Sequence, residues 1–287
     1  VGPLLITSPV RIDGPGAAAD VVISGGNATG IAIVQADLTL ADVTVREGNG
    51  SGLDEGGALY LPYGDPVDLT LENCVFADNQ ASGDGGAIAA FAYGGAISIS
   101  NCTFDGNTAG DDGGALYADG MDLAITNSVF TANESGADGG AIWFNGVSYY
   151  SDAYATISGS TFTGNIAQGE VVPGRPAANA RQARREARRG EPTAPANGGA
   201  IYAIPQRGNT PELQGLPAYG VSISTTSFGG NEAETGGAVF LSAPYQYYQR
   251  PNGTPGRGEP PPVGDTLIAD SEFDQNLARG FRTGGGG

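Results

Sequence analysis

Acidic side chains recur at one position of the sequence, directly before a pair of glycines. They are Glu55, Asp84, Asp112 and Asp138, and later copies of the pattern hold Asn197 and Thr235 there. Like charges stacked about one strand spacing apart repel each other and need compensation. One interpretation is a structural calcium site, because calcium prefers oxygen ligands from turns. The other is that each carboxylate caps the N–H groups of its own Gly-Gly turn and faces water.

Aromatic residues recur at a second position, four residues after the first glycine of each pair. The column reads Tyr60, Ala89, Tyr117, Trp143, Tyr202 and Phe240. Its neighbours on both sides are apolar, so an alternation of period two predicts that this column points outward from a strand. We expect a contact stripe for a ligand or partner, extended by the loop tyrosines Tyr149, Tyr150, Tyr245, Tyr247 and Tyr248. The alternative is that segments 204–219 and 243–264 fold back and cover it.

Composition narrows the classes of function. The 287 residues carry a net charge of −18, with no histidine, and arginine supplies all 13 basic residues. Nucleic acid is therefore not an expected partner, because neutralising phosphates needs a basic surface. No apolar run approaches the roughly 20 residues that span a bilayer. The first residues, VGPLLITSPV, lack the charged start of a signal peptide, and the array reads as a segment of a longer chain.

The elements that position these residues are sequence repeats. Gly-Gly-Ala-aliphatic and Phe-x-x-Asn elements alternate, with a period of 26 to 29 residues where no insertion interrupts them. Each repeat contains short strands of alternating polarity, and equivalent positions form aliphatic columns and one phenylalanine column. A fixed period with such columns predicts an all-β solenoid, a parallel β-helix of roughly eight or nine coils. Two asparagine columns, one of Asn73, Asn101 and Asn127 and one that begins at Asn79, are predicted to form amide ladders across the turns.

Two cysteines, Cys74 and Cys102, occupy the same position of adjacent repeats. Stacked coils would bring their Cα atoms within the range of a disulfide. Later repeats hold Ser128, Ser160 and Thr226 at this position, which favours small core residues over a disulfide.

Residues 1–287 are interpreted as one array. Residues 1–50 form degenerate leading coils and 51–167 regular coils, 168–197 are an Arg-rich insertion, and 198–287 are coils interrupted by the Pro/Tyr/Gly-rich loops 204–219 and 243–264. The insertion carries an arginine arm: Arg181, Arg184, Arg185, Arg188 and Arg189. Residues 177–189 suit a short helix, because Ala and Arg are good helix formers. On an acidic chain the arm is a candidate for docking on a partner's acidic surface, and a solvated loop is the alternative.

The diglycine-Ala-Ile and Phe-x-x-Asn motifs resemble the repeats of chlamydial polymorphic outer-membrane proteins and, more widely, bacterial surface β-helices with the pectin lyase-like fold. The opening ITSPVRIDGPG resembles the leading coils of the wider group. The resemblance covers about residues 4–287 apart from the insertions. It implies a right-handed helix and an extracellular or cell-surface location, with an adhesive or structural role.

The resemblance also raises an enzymatic alternative. Polysaccharide lyases of this fold need Arg or Lys beside calcium-binding carboxylates, and related hydrolases use a Gly-His-Gly motif that a histidine-free chain lacks. Arginines near the regular coils, such as Arg11 and Arg46, do not adjoin the acidic column. We therefore expect a non-enzymatic surface scaffold, adhesin or filament subunit that contacts other subunits, copies of itself or a surface glycan. A lyase-like enzyme and a carbohydrate-binding module remain the alternatives, and no cofactor is expected apart from the possible structural calcium.

Overall fold

The computed structural model describes residues 2–16, 20–52, 55–92, 94–146, 153–168, 196–204, 220–233, 235–242, 248–249, 255–256 and 266–278. Short strands succeed one another along the chain. The first are β1 (Leu4–Ile6), β2 (Val10–Asp13), β3 (Val22–Ser24), β4 (Ala32–Val34), β5 (Leu38–Ala41), β6 (Thr44–Arg46), β7 (Leu59–Leu61), β8 (Leu69–Glu72), β9 (Val75–Ala77) and β10 (Gln80–Ala81). A 3-10 helix lies at Gly50–Gly52.

The regular coils continue this order. They contain β11 (Ile88–Ala90), β12 (Ala96–Ser100), β13 (Thr103–Asp105), β14 (Thr108–Ala109), β15 (Leu116–Asp119), β16 (Asp122–Thr126), β17 (Val129–Thr131), β18 (Glu134–Ser135), β19 (Ile142–Asn145), β20 (Ala155–Ser158), β21 (Thr161–Thr163) and β22 (Ile166–Ala167). The last strands are β23 (Ile201–Ile204), β24 (Val221–Ser224), β25 (Ser227–Gly229), β26 (Glu232–Ala233), β27 (Val239–Leu241), β28 (Tyr248–Gln249), β29 (Pro255–Gly256), β30 (Thr266–Ala269), β31 (Glu272–Asp274) and β32 (Leu277–Ala278).

Equivalent strands of successive coils pair in parallel and build four long sheets. Sheet A has the order β1-β4-β7-β11-β15-β19-β23-β27, and sheet B has β2-β5-β8-β12-β16-β20-β24-β30. Sheet C has β3-β6-β9-β13-β17-β21-β25-β31, and the six-stranded sheet D has β10-β14-β18-β22-β26-β32. β28 and β29 form a separate antiparallel pair. The fold is a parallel β-helix, as the repeats predict, with the right hand that the resemblance implies. Within the described residues, the eight-stranded sheets correspond to eight coils.

The core lies inside the four sheets and is built from in-register columns. Leu71, Ile99, Ile125 and Ile157 face one another across β8, β12, β16 and β20 and are buried. The phenylalanine column forms a stack from Phe76 to Phe273, with successive ring centroids 4.7 to 5.1 Å apart. Parallel pairing without a register shift places each side chain on its own equivalent, so the ring spacing follows the strand spacing.

Tight turns between the strands explain the diglycines. In the coil that follows β10, Gly85 has a φ of 66°, a conformation that glycine adopts without steric cost. A Cβ atom on Gly86 would lie 2.1 Å from the carbonyl oxygen of Gly114 in the next coil, so this position has no room for a side chain. The two glycines therefore serve different purposes, one for chain direction and one for close packing of coils.

An amide ladder runs through the core at the Phe-x-x-Asn position. Asn107 Nδ2 donates to Phe76 O of the preceding coil (3.0 Å) and to Asn133 Oδ1 of the following coil (2.9 Å). Its Oδ1 accepts from the backbone N (3.1 Å) and the Nδ2 (2.9 Å) of Asn79. The pattern continues through Asn165 and Asn231 to Asn276, so this predicted ladder is present and its buried amides are satisfied.

The other predicted amide ladder is wrong. Asn73, Asn101 and Asn127 are exposed and have φ values of 51°, 52° and 49°. Asn73 Nδ2 donates to Asp42 Oδ1 (3.2 Å), not to Asn101. Asparagine tolerates the left-handed conformation better than most residues, and this turn geometry accounts for its recurrence here.

The two cysteines are free and buried. Cys102 Sγ accepts a hydrogen bond from Cys74 N (3.3 Å), and Ser128 Oγ accepts one from Cys102 N (3.1 Å). Thiol and hydroxyl thus fill the same role in successive coils, in agreement with the core interpretation. The neighbouring thiol of Cys102 lowers the pKa of Cys74 to about 7, while the Cys74 thiol, followed by burial, raises the pKa of Cys102.

Candidate functional site

The acidic column bonds each coil to the next. Glu55 Oε2 accepts from Asp84 N (2.9 Å), Asp84 Oδ1 accepts from Asp112 N (3.0 Å), and Asp112 Oδ1 accepts from Asp138 N (2.9 Å). Asp138 Oδ1 accepts from both Asn197 N (2.9 Å) and Asn197 Nδ2 (3.0 Å). One interpretation of the sequence was that each carboxylate caps its own Gly-Gly turn. These hydrogen bonds show that this interpretation is wrong. Each carboxylate binds the N–H of the equivalent residue in the following coil.

Burial of this column changes its electrostatics. Glu55, Asp84 and Asp112 are buried, and Asp138 is half-buried. Burial, followed by the charges of Asp112, Glu55 and Asp111, raises the pKa of Asp84 well above its ordinary value. Among the residues that the structure describes, no group of three or more acidic, histidine or cysteine side chains is arranged to hold a metal ion. The calcium interpretation of Glu55, Asp84, Asp112 and Asp138 thus gains no support from the geometry. The backbone N–H groups that donate to these carboxylates partly compensate their negative charges.

The aromatic column lies on the outer face of sheet A. Its members pack in an aromatic cluster that is separate from the core. The buried residues of this cluster are Ala89, Phe91, Tyr117 and Trp143, and the partly buried Tyr60, Tyr202 and Ile204 pack against them. Alternation along the strands therefore predicted the correct face. Phe240 continues the column beyond Tyr202, with the two ring centroids 5.6 Å apart.

The expected exposure of this column is wrong at its centre. Tyr117 and Trp143 are only 4 % and 9 % exposed. Their rings stack on each other with centroids 4.3 Å apart and an angle of 4° between the planes. Phe91 packs against the other side of Tyr117 at 4.9 Å. The ring faces are consequently occupied by neighbouring rings and are not available for stacking on a sugar.

The rim of the cluster is more accessible than its centre. Tyr60, Tyr202 and Phe240 are half-buried, and Tyr63 is 54 % exposed. The ring of Tyr63 lies 5.0 Å from that of Phe91. Tyr248 lies in strand β28. The other predicted contact residues lie outside the described residues: Tyr149, Tyr150, Tyr245, Tyr247, Arg181, Arg184, Arg185, Arg188 and Arg189.

A polar pair adjoins the cluster, and the sequence interpretation missed it. Asn145 Nδ2 donates to Asp119 Oδ1 (2.8 Å), and the two residues pair in register between β15 and β19. Burial raises the pKa of Asp119, and the hydrogen bond from Asn145 opposes that rise. The signal was present in the sequence: Asp119 follows Tyr117, and Asn145 follows Trp143, by two positions. Side chains two apart on a strand share one face.

Comparison with known proteins agrees with this geometry. Residues 10–179, more than half of the chain, match the model of the right handed beta helix region. The chain belongs to the right-handed beta helix family. Within this beta helix, residues 159–204 also match the Chlamydia polymorphic membrane protein repeat. Neither the search of curated proteins nor that of solved structures gave a match. The two family matches confirm the resemblance that the motifs carry and are consistent with a surface protein.

The structure contains no membrane-crossing helix within the described ranges, since none of its helices there is long and apolar enough.

Proposed function

We propose that this beta helix is a non-enzymatic structural protein of the cell surface, which holds partner proteins or further copies of itself at a fixed distance. The observation that carries the proposal is the use of the recurring polar side chains. Glu55, Asp84 and Asp112, which form the main acidic column of the repeats, are buried and bond one coil to the next. The match to the Chlamydia polymorphic membrane protein repeat supports the surface location.

The proposed contact face is the outer face of sheet A, together with the insertions. Tyr60, Tyr202 and Phe240 are half-buried there, and aromatic residues are enriched at protein interfaces. The arginine arm within 168–197 is proposed to dock on the acidic surface of another copy, because its charge opposes that of a chain with a net charge of −18.

Sedimentation velocity tests this contact. We expect the full chain to associate in a concentration-dependent way at low salt. Replacing residues 169–195 by a short Gly-Ser linker, or Tyr202→Ser, is expected to weaken association about tenfold, the loss of one good contact. Thr103→Ala, in strand β13 of sheet C, is the matched control and should change nothing. A wild-type chain that stays monomeric at all concentrations, or association that both changes leave intact, contradicts the proposed contact.

A further inference from the structure

The outer face of sheet A contains a single carboxylate. Among the outward residues of its eight strands, as far as the structure describes them, Asp119 of β15 is the only charged side chain. Its neighbours in register on the following strands are Asn145 of β19 and Ile204 of β23, and Tyr117 lies two residues before it on the same face. A charge in largely apolar surroundings is costly to cover unless the covering molecule pairs with it.

Asp119 retains an unused acceptor. Its Oδ1 accepts the 2.8 Å hydrogen bond from Asn145 Nδ2, and its second oxygen accepts no hydrogen bond from the described part of the chain. The side chain is half-buried, and burial raises the pKa of the carboxyl because it disfavours the charge. Exposed acids such as Asp105 are hydrated and gain little from an ion pair. The half-buried Asp119 gains more, because charged donors form hydrogen bonds about twice as strong as neutral ones.

Arginine is the cationic side chain that a second copy of this chain can supply. The chain has no histidine, and arginine provides all 13 of its basic residues. A guanidinium group suits this position, because it forms planar, bidentate hydrogen bonds with carboxylates and is more weakly hydrated than an ammonium group. The residues that flank such an arginine can pack on Tyr202 and Ile204, which are half-buried two strands further along the same face.

We propose that Asp119 is the docking point for an arginine of a second copy, supplied by the arginine arm of that copy, and that Asn145 holds the carboxylate in place. The arm concentrates five of the chain's arginines: Arg181, Arg184, Arg185, Arg188 and Arg189. On a chain with a net charge of −18, such a segment is attracted to the acidic surface of another copy. The inference rests on the proposed function, because it names the residue that receives the arm in the proposed contact.

Complementation between two variants of the full chain tests this docking. Asp119→Asn keeps an acceptor for Asn145 Nδ2 but removes the charge, and the arm variant carries glutamine in place of its five arginines. In sedimentation velocity at low salt, each variant alone is expected to associate at least about tenfold more weakly than the wild type, because one member of a desolvated charge pair has lost its partner. An equimolar mixture retains one intact pair of arm and Asp119 and should associate more tightly than either variant. Asp105→Asn, exposed in β13 of sheet C, is the matched control and should associate like the wild type.

Four results would overturn the docking. If Asp119→Asn associates like the wild type while the arm variant is weakened, the arm docks elsewhere, and the proposed function stands without this inference. If Asp119→Asn associates more tightly, the contact covers a neutral carboxyl and no arginine meets it. A mixture that associates no more tightly than its components shows that the arm does not reach Asp119 of another copy. A wild-type chain that stays monomeric refutes the docking together with the proposed contact. Circular dichroism verifies that each variant is folded before its association is compared.

Discussion

At the scale of single residues, the buried acidic column carries two opposing effects. Each carboxylate supplies an acceptor that the backbone of the next coil needs, and each also brings a charge close to others of the same sign. At Asn197 the chain avoids the repulsion between like charges, because this residue of the column is uncharged. Its Nδ2 donates to Asp138 Oδ1, and its own Oδ1 accepts from the Thr235 hydroxyl. An amide thus replaces a carboxylate in this column and keeps a side-chain hydrogen bond to each neighbouring coil, while Thr235 N donates to Ala196 O instead.

Asp84→Asn is therefore expected to stabilise the protein at neutral pH. The amide oxygen can still accept from Asp112 N, and the amide nitrogen can donate to Glu55 as Asn197 does to Asp138. The folded state raises the pKa of Asp84, so it binds this proton more tightly than the unfolded chain does. Wild-type stability then falls as the pH rises from the ordinary aspartate pKa through the raised one, at about 1.4 kcal/mol for each unit of the rise. The advantage of Asp84→Asn should appear as the pH rises and vanish at about pH 3.

Urea unfolding at a series of pH values measures this difference, with Asp105→Asn on an exposed strand as the control. A variant that is less stable than the wild type at pH 8 would mean that the charge of Asp84 is needed. Repeating the titration with calcium and with a chelator then decides whether a cation supplies that need. Calcium that stabilises the wild type but not Asp84→Asn would restore the calcium interpretation.

At the scale of the elements, the Asn79–Asn276 ladder joins the coils through buried amides. Asn133→Ala removes the bonds of Asn133 Nδ2 to Phe104 O and to Asn165 Oδ1. It leaves Asn107 N without its acceptor and Asn107 Nδ2 with Phe76 O alone. Each buried polar group left unpaired costs about 1–3 kcal/mol. We expect a loss of about 3–5 kcal/mol in the free energy of unfolding.

The matched control is Asn127→Gly, in the turn of the same coil. Asn127 is exposed with a φ of 49°, and Gly159 holds the equivalent position in the next coil with a φ of 58°. Glycine keeps this backbone conformation, so a change within about 0.5 kcal/mol is expected. Urea denaturation of both variants gives the comparison. If Asn133→Ala costs no more than Asn127→Gly, the ladder does not stabilise the stack.

The strands and their side-chain columns show which parts of the structure could be predicted from the sequence. Columns of identical residues predicted the parallel pairing, the Phe stack and the Asn133 ladder, because coils that pair in register place equivalents on top of each other. Alternation also predicted which face Tyr117 occupies. It could not predict that Tyr117 is buried, because Phe91 of the preceding coil packs on Tyr117, and the equivalent positions of the next coils hold Asp119 and Asn145 instead of an aromatic residue. The Asp119–Asn145 pair was missed for a related reason: only two coils contain it.

At the scale of the whole molecule, the coils are nearly interchangeable. Each coil bonds to its neighbours through the same column types: aliphatic residues in sheets A and B, a phenylalanine, a ladder asparagine, and a small polar residue at the Cys102 position. The stability of such an array is approximately a sum of terms for single repeats and for neighbouring pairs. Removing one whole repeat should therefore preserve the fold.

Deletion of residues 108–133 tests this whole-molecule property. Joining Asn107 to Glu134 removes one coil and leaves the remaining columns aligned, with Phe104 facing Phe162, Cys102 facing Ser160, and Asp84 facing Asp138. The variant is expected to fold, with a strand-rich circular dichroism spectrum and cooperative unfolding at a lower urea midpoint, since one set of neighbour contacts is lost. Deletion of residues 108–120 is the control. It removes half a coil, shifts every later column out of register and should leave an unfolded chain. Equal behaviour of the two deletions would contradict the interchangeable coil.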